Sequence, residues 1–458
     1  MNALLVICGL GIFSLIAEVI NFKKGLVFFI LLGLAGALAL AGMSMGTSTF
    51  HFSKMLLFNN FSLALTGLII ASSIFWFWMS RVYFSVEEEI TERSAMVLFV
   101  IVGAVVLTSF NNMAMLFLGI EILSISLYVL AGSRRDSMLS IEAGFKYFLM
   151  GSFASGFLLM GIALIYGATG LFHVDAIAAY IPAHVDTLPG YFYGGILLLL
   201  VGLAFKISAV PFHFWGPDVY EGSPTPITAL MATVVKIGAF AAFFRIFAFC
   251  FPSVQGSWLL VLQVMTVLTL IVPNVTAVYQ SNVKRMLAYS SVGHVGYLLL
   301  AFIAGMEASS GPVYFYLVSY AVASLLSFSI LIILERGGES LQIESFNGLF
   351  KRSPLLAVGM TMALLSLAGI PPLAGFFGKY MAFALAIQNG YIGLVILAVV
   401  TSLIGVYYYF RVIIAMFFKD AMAPAIDVSA TFRVLVLVLM LFSLLLSIIP
   451  DYVLGLIR

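Results

Sequence analysis

The sequence predicts an all-helical polytopic membrane protein of some fourteen spans, and three observations carry that reading. The 458 residues are 63% hydrophobic and only 9% charged, with a mean hydropathy of +1.17; soluble domains carry charge on about a quarter of their residues. The apolar residues fall in runs of about 20, the length that crosses a bilayer as a helix. Lys206, Lys236 and Lys379 each stand alone near the middle of such a run. A charge at the bilayer centre costs about 2.5–3.5 kcal/mol on insertion scales, so an intramembrane lysine marks an ion or proton path before anything else. No hydrophilic stretch is long enough for a soluble domain, so residues 1–458 form a single membrane domain. Continuous apolar runs exclude the alternation of a β-barrel, and open strands leave backbone groups unsatisfied in lipid, so the spans are helices.

The run from Met1 to Ile20 lacks a basic leader and is longer than a signal-peptide core; with Glu18, Lys23 and Lys24 at its end it reads as a retained first span, 1–21. Then come 25–43, 57–79, 95–110, 112–132 and 142–166, each bounded by charged or turn-forming residues. Beyond a Gly- and Pro-containing connection follow 191–216, 226–251, 257–280, 286–306, 311–334, 354–388, 389–418 and 430–450. Loops after odd-numbered spans carry Lys23/Lys24, Arg81/Arg93, Arg134/Arg135, Lys284/Arg285, Arg336/Lys351/Arg352 and Lys419/Arg433; those after even-numbered spans have almost none, Lys54 being the exception. Positive loops stay in the cytoplasm or its equivalent, which sets both termini on the opposite, periplasmic side.

Two spans differ from the rest. The seventh has Pro211 five residues after Lys206, and the twelfth has Gly369, Pro371 and Pro372 ahead of Lys379. Proline removes a helix hydrogen bond and clashes with the preceding turn, so both helices break or kink. Broken backbone is tolerated at membrane depth only where protein covers it or it lines a cavity. The breaks are five spans apart, which defines two units of opposite orientation: spans 4–8 (95–251) and spans 9–13 (257–418), preceded by three spans in 1–94 and followed by the last in 419–458. Such inverted repeats place a transporter's path at its broken helices.

Glu121 is the acidic member of the constellation, with no other charge within ten residues on either side. It is either a protonated carboxyl bonded to Ser124 or another neighbour, or a carboxylate paired with a lysine on another helix, Lys206 above all. Lys236 lies halfway along its span, too deep for its stem to reach an interface, whereas Arg245, Lys146 and Arg411 lie nearer span ends and suit snorkelling. Of five histidines, His213 and His294 fall within spans. A lone histidine is often a satisfied core residue, and His213 is near its span end; His294 is central, and imidazole chemistry suits it to relaying protons. Two intramembrane histidines are too few to ligate two haems. Cys8 and Cys250 lack metal or redox spacing and read as packing residues, no nucleotide-binding glycine loop is present, and a net charge of +2 scattered over short loops gives no nucleic-acid surface. Asp218 and Glu221 read as a solvated, capped turn, and the 42 Phe and 20 Tyr as lipid-facing and packing material.

The segments FKISAVPFHFWGPDVYEGSPTPITALMATVVKIGAF and NVKRMLAYSSVGHVGYLLL resemble the core of the antiporter-like subunits of respiratory complex I, and GIPPLAGFFGKY resembles that family's second broken helix. The resemblance spans nearly the whole chain. The wording WGPDVYEGSPTP and a lysine at 379 are similar to the N-type subunit; the M-type has glutamate there, and the L-type continues into a long lateral helix where this chain stops at Arg458. The resemblance implies two inverted half-channels, a Glu121–Lys206 pair, Lys236 as connecting residue, Lys379 near the exit, and His213 and His294 as relays. It implies proton translocation within NADH:quinone oxidoreductase in a bacterial inner membrane. Other membrane subunits would flank this one on both lateral faces. This chain would hold no cofactor, with FMN, iron–sulfur clusters and quinone in partner subunits. Other readings of the residues are a related subunit of a multisubunit Na⁺/H⁺ antiporter or membrane-bound hydrogenase, a self-contained transporter of a small solute, and a structural scaffold.

Overall fold

Without water to bond their backbone groups, the apolar runs become helices. A computed structural model describes residues 1–83, 90–421 and 424–457; Arg458, where the chain was expected to stop, lies outside the described residues. Helices α1 (Asn2–Val19) and α2 (Leu26–Met43) lead to a small hairpin, β1 (Thr49–His51) and β2 (Leu56–Phe58), then to α3 (Asn60–Tyr83), α4 (Ile90–Ser109), α5 (Met113–Ala131) and α6 (Met138–Thr169). The Asn112 and Ser137 side chains cap α5 and α6, and Gly170, at φ +69°, ends α6. A short α7 (Val174–His184) precedes α8 (Gly190–Ile207), α9 (Trp215–Gly222) and the run α10 (Thr225–Leu230), π turn Met231–Val235, α11 (Lys236–Phe244), π turn Arg245–Cys250. Then come α12 (Leu259–Val278), α13 (Val283–Gly305), α14 (Ser310–Arg336), α15 (Leu349–Arg352), α16 (Pro354–Ala368), α17 (Ala374–Gln388), α18 (Ile392–Phe418), α19 (Ala430–Ile448) and α20 (Pro450–Gly455).

By length and composition, twelve helical stretches of the described residues can cross a membrane. One of them, 283–336, is α13 and α14 joined by the short 3₁₀ turn Met306–Ser309. Helices α16 and α17 are each half-length because the twelfth expected span is broken between them. The seventh is broken too: α8 stops at Ser208, φ +64°, and the chain resumes at α9. The hairpin and α7 have no counterpart among the expected spans.

Connections after odd-numbered spans gather on one face. There Arg134 and the Tyr83 and Thr225 hydroxyls converge on Glu335, and Asn282 bridges to Gln342. Connections after even-numbered spans gather on the other: Asn111 Nδ2 donates to the Lys54 carbonyl (3.1 Å), Val174 N to the Asn111 carbonyl (2.9 Å), and Leu56 bridges to Phe110. The first face corrects several sequence readings. Asp218 and Glu221 are not a solvated turn but lie in α9, where Arg285 bridges both (2.9 and 2.7 Å) and Lys146 reaches Asp218 (2.8 Å) and Glu142 (2.6 Å). Lys146 is therefore ion-paired. Partial burial alone would raise the Asp218 carboxyl, but hydrogen bonds and charges from Lys146 and Arg285 outweigh it and hold it below the usual carboxylate range. Its ion pairs persist at neutral pH; their contribution is lost as pH falls through that lowered value. Lys284, counted with the loop charges, is buried, its ammonium bonded to the Ser223 carbonyl.

The run Thr225–Cys250 is buried at every residue but Phe249, and α13 and α14 nearly so, whereas α2 and α18 turn large apolar side chains such as Phe28 and Leu403 outward. The interior of the bundle is therefore formed by α10, α11, α13 and α14, with α16 and α17 packed against it. Its packing depends on glycine at one contact: a Cβ on Gly375 would stand 1.8 Å from the Ser366 carbonyl oxygen, across the break between α16 and α17. Gly375→Ala is expected to cost about 1–3 kcal/mol as overpacking and to lower the thermal midpoint of the purified assembly. Gly393→Ala, with open space around its Cβ, should leave that midpoint unchanged; equal midpoints for the two variants would refute the close contact.

Candidate functional site

The break after α8 frees main-chain groups, and each has a partner. Ser208 N donates to the Phe205 carbonyl (3.0 Å), Ala209 N to that of Ala204 (2.9 Å), and Val210 N to Thr269 Oγ1 (2.9 Å). The Trp215 indole N–H also donates to the Phe205 carbonyl (3.0 Å). Lys206 occupies the last turn of α8, where the carbonyl end of a helix carries partial negative charge. Buried, its ammonium donates to Ser124 Oγ (2.6 Å) and lies about 5.5 Å from the ring centroids of Tyr128 and Tyr147.

Glu121 is half-buried and accepts from the Ser155 hydroxyl. No ion pair within 4.0 Å joins it to Lys206 among the described residues. The expected direct pair is thus not formed: Ser124, one turn along α5 from Glu121, takes the lysine contact, and Ser155 of α6 takes the carboxylate. Both members of the reading are close together, with serine hydroxyls as their direct partners.

Lys379 solves the same problem from the other side of a break. It lies in the second turn of α17, yet its ammonium reaches back to the Ala368 carbonyl (2.8 Å), the last of α16, and to Ser402 Oγ of α18 (2.8 Å). A Cβ on Gly369, which has φ +81°, would stand 2.7 Å from Lys379 Cδ; glycine here allows both the left-handed turn and the passage of the lysine stem.

Lys236 opens α11 directly after the first π turn, a helix distortion frequent at functional sites. Its ammonium donates to the Ser291 carbonyl (2.8 Å) and to the Ser291 hydroxyl, which also accepts from Tyr320 (2.8 Å). His294, one turn along α13 from Ser291, stands 5.0 Å from Tyr320 ring to ring. Its Nδ1 bonds the Tyr316 hydroxyl (2.7 Å), its Nε2 the Tyr409 hydroxyl (3.4 Å), and Tyr409 bonds Ser290. Tyr297 is 6.0 Å from the histidine ring and its own ring holds the Lys379 ammonium at 4.7 Å. Lys236, His294 and Lys379 are thereby brought into one buried seam. On the Lys206 side the contacts are rings: Tyr147 stacks on Trp215 (4.5 Å), which meets Tyr220 (6.2 Å). A small cavity lined by His294, Tyr316, Tyr320, Ser366 and Gly375 has room for about one water.

His213 is buried in the break after α8, against Phe214, and makes no hydrogen bond to Lys206, Lys236 or His294; the structure does not bring it to the seam. The residues missed in the sequence are tyrosines. Tyr297, Tyr316, Tyr320 and Tyr409 are buried and tied into the seam, so the tyrosine load is not only packing. The spacing of Tyr316 and Tyr320, one turn apart on a helix buried on nearly all sides, was the available signal. Arg245 was expected to snorkel and instead is buried, because α7 covers its end of the span.

Buried basic residues at two broken helices, with a seam of hydroxyls and an imidazole between Lys236 and Lys379, define an ion-translocating membrane protein. The chain belongs to the NADH:quinone oxidoreductase/Mrp antiporter membrane family, whose model matches residues 109–405. It is 44% identical over 456 residues, 99% of each chain, to NADH-quinone oxidoreductase subunit N of Cytophaga hutchinsonii. Its structure is similar to a chain of respiratory complex I from Thermus thermophilus (TM-score 0.85, 33% identity, 99% of this chain and 98% of that one). It is also similar to one of the membrane-bound sulfane sulfur reductase, an archaeal respiratory membrane complex (TM-score 0.91, 26% identity, 99% and 95%). The chain is a multi-pass membrane subunit whose relatives work in assemblies with other membrane subunits.

Hydrogen bonds to a charged group contribute about 1.5–3 kcal/mol, so Ser124→Ala should weaken the protonated state of Lys206 and slow proton-coupled turnover of the assembled complex several-fold. Ser126→Ala, on the same helix but bonded to its own backbone, is the control. Equal turnover in both variants would remove Ser124 from the site.

Proposed function

We propose that this chain is the N-type antiporter-like subunit of a proton-pumping NADH:quinone oxidoreductase, and that Glu121, Lys206, Lys236, His294 and Lys379 carry its protons. The observation that supports the path best is the repetition of one device, a buried ammonium at the carbonyl end of a broken helix, at Lys206 and Lys379 with a hydroxyl–imidazole seam beside the second. The choice of NADH:quinone oxidoreductase over an Na⁺/H⁺ antiporter or hydrogenase-type complex rests on the full-length Cytophaga relative. Subunit composition of the purified complex separates these: NADH dehydrogenase and iron–sulfur subunits for the first, a hydrogenase subunit or an all-membrane assembly for the others.

In this reading fourteen spans cross a bacterial inner membrane, with the basic-loop face in the cytoplasm and both termini in the periplasm. Residues 95–251 and 257–418 are the two inverted repeats. Protons enter from the basic-loop face to Lys206, whose proton affinity Glu121 and Ser124 set. They pass by water and the ring-lined region to Lys236, then through Ser291, Tyr320 and His294 to Lys379, and leave on the opposite face. His213 is a side position near the entry. Electron transfer from NADH to quinone in other subunits, which hold the FMN and iron–sulfur clusters, drives the cycle by shifting buried charge in neighbours packed on the lateral faces. The water-sized cavity at His294 suits protons rather than a bulkier solute.

Lys206→Ala in the assembled complex, reconstituted in proteoliposomes, should abolish NADH-driven acidification of the lumen and slow NADH oxidation by quinone. Wild-type acidification and turnover together would make the buried lysine structural and sink the scheme.

A further inference from the structure

A path that crosses a membrane through one carrier must be closed on the side away from its mouth, or Lys236 would discharge to the wrong face. Arg245 stands nine residues after Lys236 on the same helical run, about 13 Å along it at 1.5 Å per residue. It is buried, 4% exposed, and its Nε has no hydrogen-bond partner. No ion pair or hydrogen bond from its guanidinium is formed among the described residues; it lies 5.7 Å from the Phe110 ring, and the carboxylate that acts on it through space is Asp175 of α7. A buried guanidinium whose Nε has no partner opposes folding rather than supporting it. Its use is its field.

The layer around it is aromatic. Phe61 packs on Phe244 (4.9 Å), Phe244 and Phe243 on Phe302 (5.5 and 5.3 Å), and Phe247 on Trp258 (4.9 Å). All lie at the end of the run where α7 and the even-numbered connections gather. A hydrophobic constriction excludes water, and a fixed positive charge within it excludes protons and other cations.

The second repeat carries the same spacing. Ser402, which holds the Lys379 ammonium, is followed nine residues on by Arg411, in Phe410-Arg411-Val412 against Phe244-Arg245-Ile246. Arg411 lies at the opposite face, where its guanidinium bonds the Val278 carbonyl and approaches that of Gln280 (3.5 Å) past the end of α12. Of this pair, Arg245 lies toward one face on the helical run that bears Lys236, and Arg411 toward the other on α18, which bears the Lys379 partner Ser402.

We propose that Arg245 with its phenylalanine layer, and Arg411 in the inverted repeat, are paired cation barriers that keep each half-channel closed to the face it must not reach. The proposal rests on the proton path above, and its test does not require that path to be driven. Proteoliposomes of the whole complex are given an acid interior without NADH, and decay of the pH gradient is followed. Arg245→Met should raise the proton leak several-fold while NADH:quinone turnover stays near wild type, and Arg245→Lys should restore tightness. Lys206→Ala separates the two readings: if it pumps normally, the path is wrong, and the leak assay judges the barrier alone. Wild-type leak in both Arg245→Met and Arg411→Met overturns the barrier, whether or not those variants pump. If Arg245→Met does not assemble, Arg411→Met and Arg245→Gln take its place. Failure of all three to assemble also overturns the proposal, because a barrier is dispensable for packing.

Discussion

An ammonium group inside a low-dielectric bundle must be surrounded by acceptors or it will not remain charged there, and the architecture follows from that requirement. A continuous helix offers few acceptors, since its carbonyls are already bonded once, although Lys236 does share the Ser291 carbonyl within α13. The chain therefore interrupts two helices, and each interruption exposes a carbonyl end next to a lysine. The cost falls on the backbone, and neighbouring groups meet it: Thr269 and Trp215 at the first break, Ser366 at the second, where its hydroxyl accepts from Gly375 N (3.2 Å). Proline at 211, 371 and 372 and glycine at 369 make those interruptions possible.

The two sites are not copies. Lys206 belongs to the half-helix whose carbonyl end it occupies, whereas Lys379 belongs to the half that follows and reaches back across the gap. Lysine precedes the break at the first site and follows it at the second, while a helix carbonyl end stays beside the ammonium at both. Between them, α11, α13 and α14 are buried on nearly all sides, so a hydroxyl placed on any face of these helices points at protein and has to find a partner there. This accounts for the density of Ser–Tyr and His–Tyr contacts midway along these helices, where the described residues form no ion pair; the pairs of Arg285 and Glu335 lie at the helix ends.

Much of this was legible in the sequence because charge is so rare in it. Apolar run lengths located the helices, the prolines located the breaks, and isolation alone identified Glu121, Lys206, Lys236 and Lys379. What was not legible depends on rotation about helix axes. Whether Glu121 faces Lys206 or Ser155 is decided by the packing of α5 on α6, which a run with almost no amphipathic pattern does not record. Tyr316 and Tyr409 look like membrane aromatics until α14 and α18 are brought against α13. Arg245 was misjudged for a related reason: distance from a span end predicts snorkelling only when nothing lies over that end, and α7, a short helix in a region assigned no element, lies there. The hairpin was missed because three-residue strands leave no pattern.

The His294 cluster has a sense of direction as well as a position. A neutral imidazole offers one N–H and one lone pair, so of the Tyr316 and Tyr409 hydroxyls bonded to its two nitrogens, one must be donating while the other accepts. In the proposed path, a proton entering at one end and leaving at the other swaps the tautomer and reverses every hydroxyl in the row. The row then faces the wrong way for a second proton until each O–H has swung back and the ring has exchanged its tautomer. Such a wire is reset rather than refilled, and it passes charge one unit at a time.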